Sequence, residues 1–334
     1  MGDNKDIAET IQQSKNQKVK RKKNYGVLYT LPLTIWLTLF FVIPTSIIFL
    51  YSFMKKGLYG GVELQFSLEA YKALSNPSFL EVLWDTVYIS VAATIITVVL
   101  AIPTSYYIAR SKYKSLFLFL IIIPFWTSFL IRIFAWMAIL GNNGFINIYF
   151  TPYIAKAYNV FYTSIGSIEP LKWIFYDILK WSPMGDSIQL LYTPTSIIIV
   201  TVYTYLPYAI LPLYATIEKF DFALLEAARD LGATKRQAVF KVLIPNIKVG
   251  ITTAVLFTFI PSLGSYAIPK LVGGTQGSTM IGNIIDDQLL VARNWPLAAS
   301  ISVCLTIVTT IGVLIFVKLN SNKSEQIRNE RLKK

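Results

Sequence analysis

The side chains in this sequence that could do chemistry are few, and their types argue for binding and coupling rather than bond-breaking. The chain contains no histidine. Ser-His-Asp and Cys-His nucleophiles, the His-Glu-x-x-His zinc site and the usual proton shuttle are therefore excluded. The one cysteine, Cys304, lies in an apolar run, so an internal disulfide is impossible and a cysteine metal site is disfavoured. No Gly-Lys dipeptide occurs, and with it goes the phosphate-cradling P-loop. The chain is thus expected to hold no catalytic residue, metal or cofactor of its own. Charge is concentrated instead in one internal block, "FDFALLEAARDLGATKRQAVFKVLIPN", between two very apolar runs.

That block parses as two short helices around a glycine. Asp221 is a good N-cap, and Phe220 before it can staple onto Leu225. Leu224, Leu225, Ala228 and Leu231 fall at helical spacing on one face, with Glu226, Arg229 and Asp230 on the other. Gly232 costs about 1 kcal/mol inside a helix, so it is expected to end one in the left-handed conformation. Thr234 and Gln237 form a capping box for a second helix with the stripe Ala238, Val239, Val242 and Leu243. Pro245 marks the turn into the next apolar run. A solvated connector does not need two apolar stripes. Either the chain's own helix ends or another protein should cover one of them, the latter as a helix in a groove.

The surrounding elements belong to a membrane. Hydrophobic residues make up 54% of the chain and charged residues only 15%, outside the range of soluble domains. Six runs, at about 27–54, 84–109, 116–140, 193–215, 247–269 and 296–318, approach or exceed the roughly 20 residues needed to cross a bilayer core. Backbone groups in lipid must pair within the segment, so these runs are expected to be helices. The expected fold is an all-α polytopic membrane protein with six spans.

Net charge is +13, and its distribution argues for topology rather than nucleic acid. Lys and Arg number 7 in 1–26, 3 in 110–115, 5 in 216–246 and 6 in 318–334, against 3, 3 and 2 in the alternate segments 55–83, 141–192 and 270–295. By the positive-inside rule both termini and the charged block are cytoplasmic. Residues 1–26 and 319–334 read as basic tails around a domain at 27–318. The first apolar run is longer than a signal-peptide core and is read as an uncleaved helix.

Acidic residues are absent from the span interiors; Glu81 and Asp85 stand at the mouth of the second. That weakens a proton- or sodium-coupled carrier, which usually places carboxylates or broken-helix carbonyls at mid-membrane. A membrane-embedded enzyme has still less support. Pro44, Pro103, Pro124, Pro207, Pro212 and Pro261 lie within spans and can bend them. Pro261 with Gly264 is the strongest candidate for a gating or structural break. Arg132 sits within a span, where an arginine costs about 2.5–3.5 kcal/mol on insertion scales. It is expected to pair with a carbonyl, a partner subunit or the outer interface.

The charged block also carries a resemblance. Glu226-Ala227-Ala228, Gly232 three residues on, and Val242-Leu243-Ile244-Pro245 after nine more resemble the EAA loop of ATP-binding-cassette importer permeases. Two aliphatic positions are exchanged relative to that family's pattern, which preserves volume and polarity. The segments at 121–147, 204–221 and 262–274 resemble the spermidine/putrescine permeases of the PotB type, and the likeness runs from about 27 to 318. The outer segment 141–192 is longer than that family usually has, and its aromatic middle suits a membrane interface.

The resemblance implies a type I importer permease in a bacterial inner or cytoplasmic membrane, working by alternating access. Its implied partners are ATPase subunits that use ATP and magnesium, a second related permease and an extracytoplasmic polyamine-binding protein, besides membrane lipid. It implies that Leu224, Glu226, Ala227, Ala228, Leu231, Gly232 and Pro245 dock the ATPase. It also picks out Trp126, Phe134, Trp136, Tyr203, Tyr205 and Tyr266 as aromatics of the substrate path, each able to stabilise a cation by about 0.5–2 kcal/mol. Neighbouring families carry ferric ion, sulfate or thiamine, which stand as alternative substrates.

Overall fold

The computed structural model describes residues 26–149, 190–274 and 279–332. Expectations placed on residues 1–25 of the leading tail and on residues 150–189 of the long outer segment lie outside these residues. Two units are distinguished, one ending at Leu50 and one beginning at Tyr51.

The first unit is helical. Helix α1 (Gly26–Leu37) runs through a π-helical turn at Thr38–Val42 into α2 (Ile43–Tyr51). Its threonines and serine lose no hydrogen bonds, because Thr34, Thr38, Thr45 and Ser46 each donate to the carbonyl four residues back.

The second unit opens on an exception to the all-α expectation. Strands β1 (Met54–Lys56) and β2 (Val62–Phe66) form an antiparallel hairpin. Its turn uses Gly60 and Gly61 at φ of 93° and 76°, and Gly61 N–H donates to the Arg293 carbonyl at 2.8 Å. A short α3 (Glu69–Ala73) follows, then α4 (Pro77–Arg110), capped by Asn76, whose side chain accepts from Ser78 N–H.

The third apolar run does not form one helix. It breaks into α5 (Lys114–Ile122) with a 3-10 turn at Ile123–Trp126, and α6 (Phe129–Leu140), followed by α7 (Phe145–Tyr149). Pro124 has no N–H for the turn before it, Thr127 Oγ1 donates to the Pro124 carbonyl, and Thr127 and Ser128 adopt extended ψ values of 145° and 135°. The span at this point is Phe129–Tyr149, later in the chain than 116–140.

Beyond it come α8 (Pro194–Ile217), α9 (Ala223–Asp230), α10 (Lys235–Ala238), α11 (Ile244–Asn246), α12 (Lys248–Leu263), α13 (Ile281–Leu290) and α14 (Trp295–Leu332). Among the described residues five helices are long and apolar enough to span a membrane, or six when Lys235–Asn246 and α12, bent by 72°, count as one. The apolar run 247–269 is therefore interrupted. Its helix stops at Leu263 and resumes as a π-helical turn at Pro269–Gly273.

The core is the packing of α4, α8 and α12. One cluster joins Val98, Ala101 and Ile108 of α4 to Ile210, Leu213 and Ile217 of α8 and to Ile247 and Ala254 beside and within α12. A second joins Ile89, Ile133, Leu140, Ile197 and Val200 to Ile268, Val272 and Met280. Hydrophobic burial contributes little between helices in lipid, so close approach and hydrogen bonds matter more. Ser105 Oγ donates to the Ile210 carbonyl at 3.1 Å, stitching α4 to α8. Gly250 has a similar purpose on α12: a Cβ there would lie 2.6 Å from Thr216 Oγ1 of α8.

Candidate functional site

The charged loop between α8 and α12 folds as its local signals dictate. Asp221, expected as the N-cap, lies one residue ahead of it: α9 begins at Ala223, Phe222 is the N-cap without a side-chain bond, and Asp221 Oδ1 accepts from Ala223 N–H at 3.0 Å. Gly232 has φ of 89°. Its N–H donates to the Arg229 carbonyl at 2.9 Å, and Ala233 N–H donates to the Ala228 carbonyl at 3.0 Å. These two bonds are the Schellman closure of a helix C-terminus. Thr234 and Gln237 then complete a capping box, with Thr234 N–H donating to Gln237 Oε1 at 2.9 Å and Gln237 N–H to Thr234 Oγ1 at 3.3 Å. A π-helical turn at Val239–Leu243 leads to Pro245, and Ile244 N–H bonds five residues back to the Val239 carbonyl.

The apolar residues of α9 divide where a single face was expected. Leu225 is buried and Ala228 packs on the same cluster, with Phe220, Phe222, Ala238 and Leu243. Leu224 and Leu231 turn the other way and are 47% and 90% exposed. The chain's own helix ends thus cover one stripe, and the other stands open beside Glu226 and Ala227, both exposed. Pro245 is also exposed. Glu226, Arg229, Asp230, Gly232, Ala233, Thr234 and Lys235 line a polar recess of about 660 Å³ between α9 and α10.

Two contacts absent from the sequence reading tie this loop to the spans. Arg110, at the end of α4, donates to Tyr106 Oη at 2.9 Å, and its guanidinium lies 5.4 Å from the Phe222 ring centre. Lys114 Nζ, at the start of α5, donates to Glu218 Oε1 at 2.7 Å just beyond α8. The Lys114 ammonium, helped by Tyr214, holds the Glu218 carboxyl below the usual carboxylate range.

The aromatic candidates are brought together only in part. Trp136 and Tyr203 meet edge to face at 5.3 Å. Tyr205 Oη donates to the Pro261 carbonyl at 3.3 Å, and its ring lies 6.1 Å from Tyr208, which meets Phe125 at 5.0 Å. Trp126 (75% exposed) pairs with Phe119, while Phe134 and Tyr266 are exposed. Arg132 was expected to find a carbonyl, a partner or an interface. It lies 5.9 Å from each of the Phe125 and Phe129 ring centres, and its buried Nε has no hydrogen-bond partner among the described residues. A guanidinium in a low-dielectric site can be held by ring quadrupoles in this way. Arg132, Phe125, Tyr208, Tyr205 and Pro261 therefore form one continuous run of contacts. Phe125 and Tyr208 were not singled out in the sequence because the break at 127–128 that places Phe125 was not foreseen. Gly264 ends α12 at φ −88°, so it marks the break without a left-handed turn.

Residues 24–324 match the family of binding-protein-dependent transport system inner membrane components. The chain belongs to that family. It is 34% identical over 284 residues to the spermidine/putrescine transport system permease protein PotB of Salmonella typhimurium, covering 84% of this chain and 88% of that protein. To PotB of Escherichia coli K12 it is 33% identical over 298 residues, covering 88% and 98%. The fold is similar to a bacterial ABC transporter involved in importing the acidic polysaccharide alginate, with TM-score 0.62, 16% identity and coverage of 90% and 96%. A bacterial alginate ABC transporter in complex with an alginate pentasaccharide-bound periplasmic protein gives TM-score 0.60 at 17% identity, covering 91% and 96%. The chain is thus a membrane permease subunit of an ABC importer, an integral membrane component.

Proposed function

We propose that this permease forms, with a second related permease, the translocation path of an ATP-driven polyamine importer. Its ATPase partners dock on the loop 216–246 and use ATP and magnesium, and an extracytoplasmic binding protein delivers spermidine or putrescine. Both termini and the loop lie on the cytoplasmic side, as the distribution of Lys and Arg indicates. The observation that carries the docking role is the division of α9. Leu225 and Ala228 anchor it inward, while Leu224, Leu231, Glu226 and Ala227 are left open on a helix whose two ends are both fixed. That is the form of a rigid helix presented to a groove. The alanines at 227 and 228 permit close approach, Gly232 and Pro245 set the helix ends, and Glu226 supplies a charged contact.

The substrate class is supported by the names of the relatives and by the aromatic run. Within it, Trp136, Tyr203, Tyr205, Trp126, Phe134 and Tyr266 are the residues assigned to the path, and Arg132 with Pro261 and Gly264 forms its structural or gating element. The test is uptake of radiolabelled spermidine and putrescine into proteoliposomes, with and without the ATPase, second permease and binding protein. Uptake should need ATP and every partner, and Glu226→Arg should abolish it while the complex still inserts in the membrane. Gradient-driven uptake by this chain alone would overturn the reading.

A further inference from the structure

Helix α13 carries Asp286 and Asp287 and meets one cation. Lys270 Nζ donates to Asp286 Oδ2 and lies 3.5 Å from Asp287 Oδ1. The Asp286 side chain is 18% exposed, that of Lys270 45% and that of Asp287 54%. One ammonium set against two carboxylates leaves one negative charge unmatched. The carboxylates in turn hold Lys270 protonated, its pKa raised chiefly by the hydrogen bond to Asp286.

Asn283 precedes this pair by three and four residues, and so lies on the same face of the helix. It is only 7% exposed, and its buried Oδ1 has no hydrogen-bond partner among the described residues. An amide oxygen and two carboxylates are acceptors only, so what this face lacks is a donor. Water or structure elsewhere usually satisfies such a group, because leaving it bare costs its full desolvation.

Unpartnered polar groups continue inward. Ile281 N–H donates to Thr86 Oγ1 at 2.9 Å, and a Cβ on Gly282 would lie 2.4 Å from the Ser265 carbonyl oxygen. The start of α13 is therefore wedged between α4 and the end of α12. About one helical turn from those contacts lie Ser90 of α4 and Ser262 of α12, 0% and 1% exposed, whose hydroxyls also have no partner. Three of the four buried polar side chains with an orphaned atom among the described residues thus belong to the three elements that meet here.

We propose that the Asn283–Asp286–Asp287 face of α13 is a binding site for alkylammonium ions, occupied in cis by Lys270 and opened when a substrate ammonium displaces it. This deepens the polyamine reading and rests on it. Lysine's side chain ends in a primary alkylammonium on a four-carbon stem, chemically the end of a diamine, tethered to the site it blocks. The helical rise sets Asn283 and Asp287 about 6 Å apart along the axis. That is close to the nitrogen separation across three or four extended methylenes, roughly 5–6 Å. A diamine can therefore place one ammonium on the carboxylates and the other at Asn283, while a monoamine or Lys270 fills only the first position. The tether makes the site discriminate: a single ammonium competes with Lys270 on equal chemistry, and only a second one tips the exchange.

The test is equilibrium binding of radiolabelled putrescine to the assembled importer in nanodiscs, with n-propylamine at equal ionic strength as competitor. Lys270→Met should tighten putrescine binding about fivefold, and Asp286→Asn and Asn283→Leu should weaken it by about as much. Lys270→Arg should bind like the wild type, and n-propylamine should compete poorly. An ordinary surface ion pair predicts unchanged binding in Lys270→Met. Equal binding across all the variants, or weaker binding in Lys270→Met, overturns the site. Uptake by the wild-type complex in the same nanodisc-derived liposomes separates the two levels. Polyamine import with unchanged variants refutes the site alone, and absence of polyamine import by the complete complex refutes the polyamine reading. Variants that fail to assemble are replaced by Asp287→Asn and Asn283→Asp, the second of which should tighten binding.

Discussion

Substitution of Gly232 isolates the backbone contribution to the coupling loop. At φ 89° an L side chain is strained, and the left-handed conformation costs about 1–2 kcal/mol for a residue with a Cβ. A Cβ built at Gly232 has no heavy atom within 4 Å, so steric packing adds nothing to that cost and removes nothing from it. Gly232→Ala should therefore raise the local opening constant of the Schellman closure by about five- to thirtyfold. The amides to watch are those of Gly232 and Ala233, which donate to Arg229 and Ala228. Hydrogen–deuterium exchange of a loop peptide covering 228–238, read by mass spectrometry on the detergent-purified chain, measures it. Gly232→Asn is the internal control, because asparagine tolerates the left-handed region better than alanine does. Its exchange should fall between the wild type and Gly232→Ala. Equal protection in all three would mean that the loop is held by its docking on the core and not by its turn, and the local argument would be wrong.

Gly250→Ala should lower the thermal unfolding midpoint, since its Cβ would sit 2.6 Å from Thr216 Oγ1 and 2.8 Å from Thr216 Cβ, and overpacking of this kind costs about 1–3 kcal/mol. Thr216→Gly in the same chain should restore part of the loss, as followed by fluorescence-detected unfolding in detergent. The Lys114–Glu218 pair should show an acid-side pH dependence. Glu218's carboxyl is held below its ordinary range, so its contribution is present above the unfolded carboxylate pKa and is lost as pH falls through the folded value. The midpoint difference between wild type and Glu218→Gln should therefore be seen at pH 7 in low salt, shrink on acidification, and vanish when salt screens an exposed pair.

The loop was legible in the sequence because its determinants are local. The Thr234–Gln237 box and the left-handed Gly232 depend on residues within four positions and both are present, while Asp221 accepts from Ala223 N–H but sits one residue ahead of the N-cap, Phe222. Most spans were legible too, since hydropathy over about 20 residues is nearly a direct readout of solvent, but the third is Phe129–Tyr149 rather than 116–140 and the fifth run is interrupted after Leu263. Faces and breaks were less so. Helical spacing put Leu224 and Leu225 together because it tolerates a wide stripe, yet adjacent residues lie about 100° apart and the core accepts only Leu225. The break at Thr127–Ser128 needed Pro124 to be read as ending a helix rather than bending one, and membrane helices allow both. The seat of Arg132 between Phe125 and Phe129 depends on that break. The grip of Lys270 on Asp286, across sixteen positions, has no local signature at all.

The 72° elbow between Lys235–Asn246 and α12 has a mechanical meaning. Two stiff rods joined at an angle form a bell crank, which converts a push in one direction into a swing in another. The shorter arm holds twelve residues and so measures about 18 Å. Turning it by about 10° carries its tip through about 3 Å, less than one helical turn, and swings α12 through the same angle if the elbow holds. Whether it holds depends on the π-helical turn at Val239–Leu243, where Ile244 reaches past the usual acceptor to Val239 just before Pro245. The proline makes the corner and the wide turn keeps the backbone bonded up to it. A small displacement delivered to the loop would then reach the Tyr205–Pro261 contact at the far end of α12 as rotation rather than being absorbed at the bend.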